Sequence, residues 1–245
     1  MHGHGTILAG IIATNTATEW GVAPGARIVN VKVGAADGSV DVSQVIAGID
    51  WVVENRDANG MNIRVINLAY GTDADVDYRS DPLTHAVENA WHHGIVVVVA
   101  GGNEGRSERR LANPALDPYV IAVGAAGHDA SAANGWRVPS WSTTGDDTRN
   151  LDLVAPGEAI VSLGVAGSYL ADTHPDATCI GDDGQLRLRG SGTSQGTAVV
   201  AGAVAMLLEQ RPELTPDQVK HLLTSTATTL LDDRGEPRPS SQQGH

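Results

Sequence analysis

Short apolar runs recur along the chain at residues 28–33, 65–69, 95–100, 120–125 and 151–155. They are short and rich in Val and Ile, which predicts strands buried on both faces. Amphipathic stretches at 7–13, 43–55 and 82–92 lie between them and predict helices. Strands alternating with helices in this way predict an α/β fold: a doubly wound, mostly parallel sheet with helices on both faces. Two helix starts are marked by their own chemistry. Asp81-Pro82 supplies an N-cap followed by Pro at the first helical position, and Thr215-Pro216-Asp217-Gln218 is a capping box that predicts a helix over 216–226. Residues 198–209 are apolar nearly all round, which predicts a helix threaded through the core. Two polar, turn-rich stretches, 127–150 and 167–190, read as surface loops. Residues 232–245, composed of Pro, Ser, Gln, Gly and charge, read as a disordered tail or linker stub, leaving 1–231 as the folded domain.

Composition narrows the class. The 245 residues suffice for one large domain with a sizeable core. Against 29 Asp and Glu stand 16 Lys and Arg, a net charge of -13, so phosphate backbones are repelled and nucleic acid is excluded as a partner. No apolar run approaches the roughly 20 residues of a membrane span. With 29 Gly and no Phe, the core must be built from Val, Ile, Leu and Ala around close backbone contacts. Cys179 stands alone and forms no internal disulfide. The first residues contain neither a charged n-region nor an apolar h-region, so no secretory signal is visible in them.

Three segments place reactive side chains beside glycine. In the first, Gly3-His4-Gly5-Thr6 runs into an apolar helix, so His4 is reachable and rigidly held, as a general base requires; a structural histidine is the competing reading. In the second, residues 190–197 open the buried helix. Ser194 there would meet free N–H groups that favour an attacking oxygen or the oxyanion it creates. A plain Ser/Thr N-cap competes with this reading, whereas phosphate binding fits poorly, because no strand precedes the glycines and no Lys follows them. In the third, the 96–100 run ends in Gly101-Gly102-Asn103-Glu104-Gly105, which presents an amide donor at the carboxyl edge of the sheet; the alternative is a turn residue.

The order His, Asn, Ser sits inside a wider set of motifs: His4-Gly5-Thr6 with Ala9-Gly10, then Gly21-Val22-Ala23-Pro24, Val65-Ile66-Asn67-Leu68-Ala69-Tyr70-Gly71, Val98-Val99-Ala100-Gly101-Gly102-Asn103-Glu104-Gly105, residues 120–125, Val154-Ala155-Pro156-Gly157 and Gly192-Thr193-Ser194. From His4 to about Leu230 the chain resembles the subtilisin-like serine peptidases, the subtilases. The resemblance implies a serine endopeptidase with His4 as general base, Ser194 as nucleophile and Asn103 as oxyanion-hole side chain, assisted by the Ser194 N–H. It also implies that Leu68, Ala69, Tyr70 and Gly71, with Ala100, Gly101 and Gly102, bind an extended polypeptide substrate through backbone pairing. No cofactor and no metal are implied, and the family resemblance suggests secretion.

The chain departs from the family pattern in one serious respect. The family's triad Asp, at the end of a strand before the histidine, has no counterpart in the three residues ahead of His4, and Asp37-Gly38 and Asp183-Gly184 do not fit its motif. The expectation is an incomplete sheet lacking its first catalytic strand, weak or absent activity in this chain alone, and an N-terminal segment or propeptide as a missing partner. A catalytically dead binding module of the same fold is the alternative, and a dinucleotide-binding domain is disfavoured because its glycine fingerprint is absent. Lesser departures are Gln195-Gly196-Thr197-Ala198 after the serine, Ile7 in place of a second His, and a loop at 14–20 too short for the family's calcium site. Asp73, Asp75 and Asp77 read as a solvated acidic rim favouring basic substrates, and His85, His92 and His93 lack the spacing of a zinc pair.

Overall fold

The computed structural model describes residues 1–72, 76–106, 110–146 and 148–244. Along the chain run α1 (His4–Ala13), α2 (Val42–Asn55), β1 (Val65–Leu68), α3 (Pro82–His92), β2 (Val96–Ala100), β3 (Ile121–His128), β4 (Trp136–Arg137), β5 (Leu153–Pro156), β6 (Ile160–Leu163), α4 (Tyr169–Thr173), β7 (Thr178–Ile180), β8 (Leu186–Gly190), α5 (Thr193–Gln210), α6 (Pro216–Thr226) and α7 (Ser240–Gln243). Strands β1, β2, β3 and β5 pair in parallel in that order, with β4 antiparallel on the far end of β3. A second sheet, β6-β8-β7, is antiparallel.

Burial explains the main sheet. Every residue of β2 is buried, as an unbroken Val run requires when helices cover both faces. Helix α5 lies across β1, β2, β3 and β5, with α1 packed behind it, and α2 and α3 pack together against the opposite face. The fold is therefore the α/β architecture that the alternating pattern predicts. Helix α3 starts where its cap demands, with the Asp81 side chain accepting from Leu83 N at 2.8 Å. At α6, Thr215 and Gln218 cap each other reciprocally. Helix α5 begins at Thr193, five residues before the apolar run, and so takes Ser194 into its first turn.

Three expectations are corrected. Residues 28–33 form no strand, because an extended segment needs a neighbouring ladder. Val31 and Val33 rest half-buried on the core, but Ile28 and Val29 are 46% and 39% exposed, and among the described residues the sheet ends at β1 with one edge unpaired. The stretches 127–150 and 167–190 are not only loops: they hold β4, α4, β7 and β8. Strand β8 escapes a hydropathy reading because Arg187 is buried, its charge matched by Glu19 and Asp183 at 2.6 and 2.8 Å. Finally, residues 232–244, read as a tail or linker stub, make contacts with the rest of the chain. The buried Gln243 side chain accepts from Leu230 N at 2.6 Å, Gly145 N donates to Ser241 O at 2.8 Å, and Gly244 bridges to Leu153. Among the described residues no helix is long and apolar enough to cross a membrane.

Candidate active site

His4 opens α1 and Ser194 lies in the first turn of α5. The two helices pack along Ile7, Leu8 and Ile11 against Ala198, which is one turn below Ser194. The turn into α1 requires Gly3: its φ of 102° is in the left-handed region, and a Cβ there would stand 2.8 Å from Ser168 Oγ. Burial, and then the neighbouring His2, hold the His4 imidazole below its usual range. It is therefore neutral, the form a general base needs, at neutral pH.

The competing reading of Ser194 as a helix cap does not hold, since the N-cap is Gly192 and no side chain caps α5. Instead, the neighbouring Thr193 is tied down. Its N donates to Asn103 Oδ1 at 2.9 Å, its hydroxyl to the same oxygen at 3.2 Å, and Gly102 N donates to Thr193 Oγ1 at 3.3 Å. These bonds engage the acceptor end of the Asn103 amide and leave Nδ2 with no hydrogen-bond partner among the described residues. Asn103 Nδ2 and Ser194 N both lie 3.7 Å from the point where a Cβ on Gly192 would stand. Two open donors at a helix N-terminus, converging beside an unacylated hydroxyl, form a hole suited to an oxyanion.

A cavity of about 170 Å³ opens at this point, between Ala69, Tyr70 and Gly71 on one side and Ala100, Gly102, Asn103, Glu104, Ala112, Thr193 and Ser194 on the other. It lies at the carboxyl ends of β1 and β2, where open α/β sheets bind ligands. Of the residues expected to bind substrate, Ala69, Tyr70, Gly71, Ala100 and Gly102 are brought together here. Leu68 is not among the lining; it is buried in the core. Nor is Gly101, whose α-carbon faces the Leu151 side chain. Glu104 and Ala112 were not foreseen. A carboxylate directly after the key Asn could have signalled Glu104, whereas Ala112 arrives from a distant loop held by paired bonds between Thr72 and Asn113.

Other expected features fall elsewhere. Asp73 and Asp75 lie outside the described residues, and Asp77 accepts from Arg79 N as the cap of a short helical turn. The His92 ring meets Tyr119 at a tilt of 58° and His93 Nδ1 contacts Asn89 O, so these histidines point to different partners. A larger cavity of about 400 Å³ at the far end of α1 contains Trp20, Val161 and Glu19, but the Glu19 carboxylate is bound to Arg187. Among the described residues no carboxylate pairs with His4: Asp37 accepts from Ser39, and Asp183 is held by Arg187.

The fold and this site place a helix-borne serine beside an amide donor at the carboxyl edge of a parallel sheet. The whole chain, residues 1–245, matches the subtilase family model, and the chain belongs to that family. It is 36% identical over 243 residues to the serine protease AprX of Bacillus subtilis (strain 168), covering 95% of this chain and 54% of that one. It is 37% identical over 240 residues to an extracellular serine proteinase of Thermus sp. (strain Rt41A), covering 98% and 49%. The chain therefore spans about half the length of these curated relatives. Among solved structures, the S41 psychrophilic protease superposes with a TM-score of 0.80 at 25% identity, covering 99% of this chain and 76% of that one.

Proposed function

We propose that this chain carries the catalytic machinery of a serine endopeptidase acting on polypeptides. The observation that carries the reading is the convergence of the free Asn103 Nδ2 and Ser194 N beside the Ser194 hydroxyl, at the mouth of the cavity. In the reaction, Ser194 Oγ attacks the substrate carbonyl carbon and its proton passes to neutral His4. The oxyanion settles against Asn103 Nδ2–H and Ser194 N–H. Collapse expels the amine, which takes the proton from His4, and water then releases the acyl group by the same route. The backbone at 69–71 and at Ala100 lines the cavity where a substrate strand would pair, and recognition through backbone tolerates many sequences. Glu104, the carboxylate in the cavity, favours a basic side chain there. Secretion follows from the kinship with the extracellular Thermus proteinase.

Among the described residues no carboxylate meets the His4 imidazole. Without a carboxylate to fix its tautomer and support its cation, turnover falls by about 10⁴ while acylation remains measurable. The same feature favours the second reading, a subtilase fold serving as a binding module. A fluorophosphonate probe separates the two. Labelling at Ser194 that is lost in Ser194→Ala supports the enzyme, and a folded protein that stays unlabelled supports the module.

A further inference from the structure

Gln195 follows the nucleophile as the third residue of α5, and the reaction described above gives it no task. Its side chain is nonetheless buried, at 5% exposure, and its Oε1 has no hydrogen-bond partner among the described residues. A buried amide oxygen without a donor destabilises a fold, and such atoms are few in native proteins. The chain makes room for this one. The side chain turns back over the end of β8 and the entry to α5, where a Cβ on Gly190 would stand 2.7 Å from Nε2 and a Cβ on Gly192 would stand 2.8 Å from Oε1. The second of these points is the one from which Asn103 Nδ2 and Ser194 N each lie 3.7 Å. The unbonded end of the Gln195 amide therefore borders the oxyanion hole.

Nothing anchors the end of the amide that faces Gly192. The last torsion of a glutamine side chain is soft and roughly two-fold, and a half-turn about it breaks no hydrogen bond at Oε1. That half-turn carries Nε2 to the Gly192 side and Oε1 to the Gly190 side. Charge selects between the two ends. At rest the neighbours at this point are open donors, Asn103 Nδ2 and Ser194 N, which favour an acceptor beside them. Once Ser194 Oγ has attacked, the new oxyanion takes up both donors, repels an amide oxygen and attracts an N–H. We propose that Gln195 is a third donor to the oxyanion, its amide turning so that Nε2–H faces the negative oxygen as the tetrahedral intermediate forms. The inference rests on the peptidase reading and adds a catalytic residue to it, at a position where the chain departs from the family pattern. Because the bond exists only while the oxygen is charged, it lowers the barrier without tightening the hold on substrate.

The test compares the full chain with Gln195→Met, which fills similar space and has no donor. The measurements are the rate at which a fluorophosphonate labels Ser194, the affinity for an acetylated peptide boronic acid, and the affinity for the same peptide ending in a primary amide. The boronic acid forms a charged tetrahedral adduct on the serine with an oxygen in the hole, whereas the peptide amide forms no adduct. Gln195→Met should be labelled, and should bind the boronic acid, about tenfold to 100-fold less well. It should bind the peptide amide as before and melt no lower, since an unbonded buried acceptor has been removed. A side chain that only packs would shift the thermal midpoint and both affinities together. Unchanged labelling in Gln195→Met, or equal losses for the two peptides, overturns the third donor. If Gln195→Met does not fold, Gln195→Ala decides by the same comparison. A folded unsubstituted protein that takes no label overturns the peptidase reading itself, and this inference with it.

Discussion

Gly192 shows how closely the chemistry depends on one missing atom. Its φ of 166° is extended backbone that any residue adopts, so an alanine there would not strain the chain. The added methyl would instead stand 3.7 Å from both Asn103 Nδ2 and Ser194 N, in the approach an oxyanion must use, and 2.8 Å from the end of the flexible Gln195 side chain. Gly192→Ala should slow acylation of Ser194 by a fluorophosphonate about 100-fold, the cost of losing one oxyanion donor, with little change in the thermal midpoint. Glu104 acts on selectivity. Its carboxylate is exposed and accepts from Thr143 Oγ1 at 2.9 Å, so its attraction for a cation is that of a surface pair. In Glu104→Gln the ratio of acylation rates for a lysyl over a leucyl active ester should drop about fivefold. An unchanged ratio would remove Glu104 from substrate choice.

At the level of elements, legibility followed local chemistry. Helix α3 spans Pro82–His92 and α6 spans Pro216–Thr226, as their caps predict, because Asp81, Pro82, Thr215 and Gln218 act within a few residues of themselves. Strands β2 and β3 announce themselves by apolar runs, since burial on both faces leaves no room for polar positions, while β1 and β5 are partly buried. What depends on distant partners was not legible. Residues 28–33 carry a strand's composition but find no ladder among the described residues, and β8 carries a loop's composition but is buried through the Arg187 ion pairs. The candidate site divides in the same way. Glycine-flanked His4 and Ser194, and Asn103 at a strand end, could be read from neighbours in sequence. Ala112 in the cavity wall depends on a contact between the 72 and 113 regions.

Across the whole molecule, the net charge of -13 is carried by a surface whose acidic groups mostly cap turns or pair locally, as Asp41, Asp77 and Asp129 do. Charge thus keeps copies of the chain apart at long range, but it does nothing for a strand edge at close range. The main sheet has two such edges. Among the described residues one side of β1 is unpaired, while at the opposite end Gly244 bridges to Leu153 of β5, held there by α7 and the buried Gln243. Residues 232–244 therefore work as a selvedge, finishing one border of the sheet so that it cannot be extended by a neighbouring molecule. A chain ending after Leu231 should retain its fold and its Ser194 labelling yet associate as concentration rises, as read by sedimentation velocity against the full chain. If the shortened chain stays as monodisperse as the full one, the border needs no finishing.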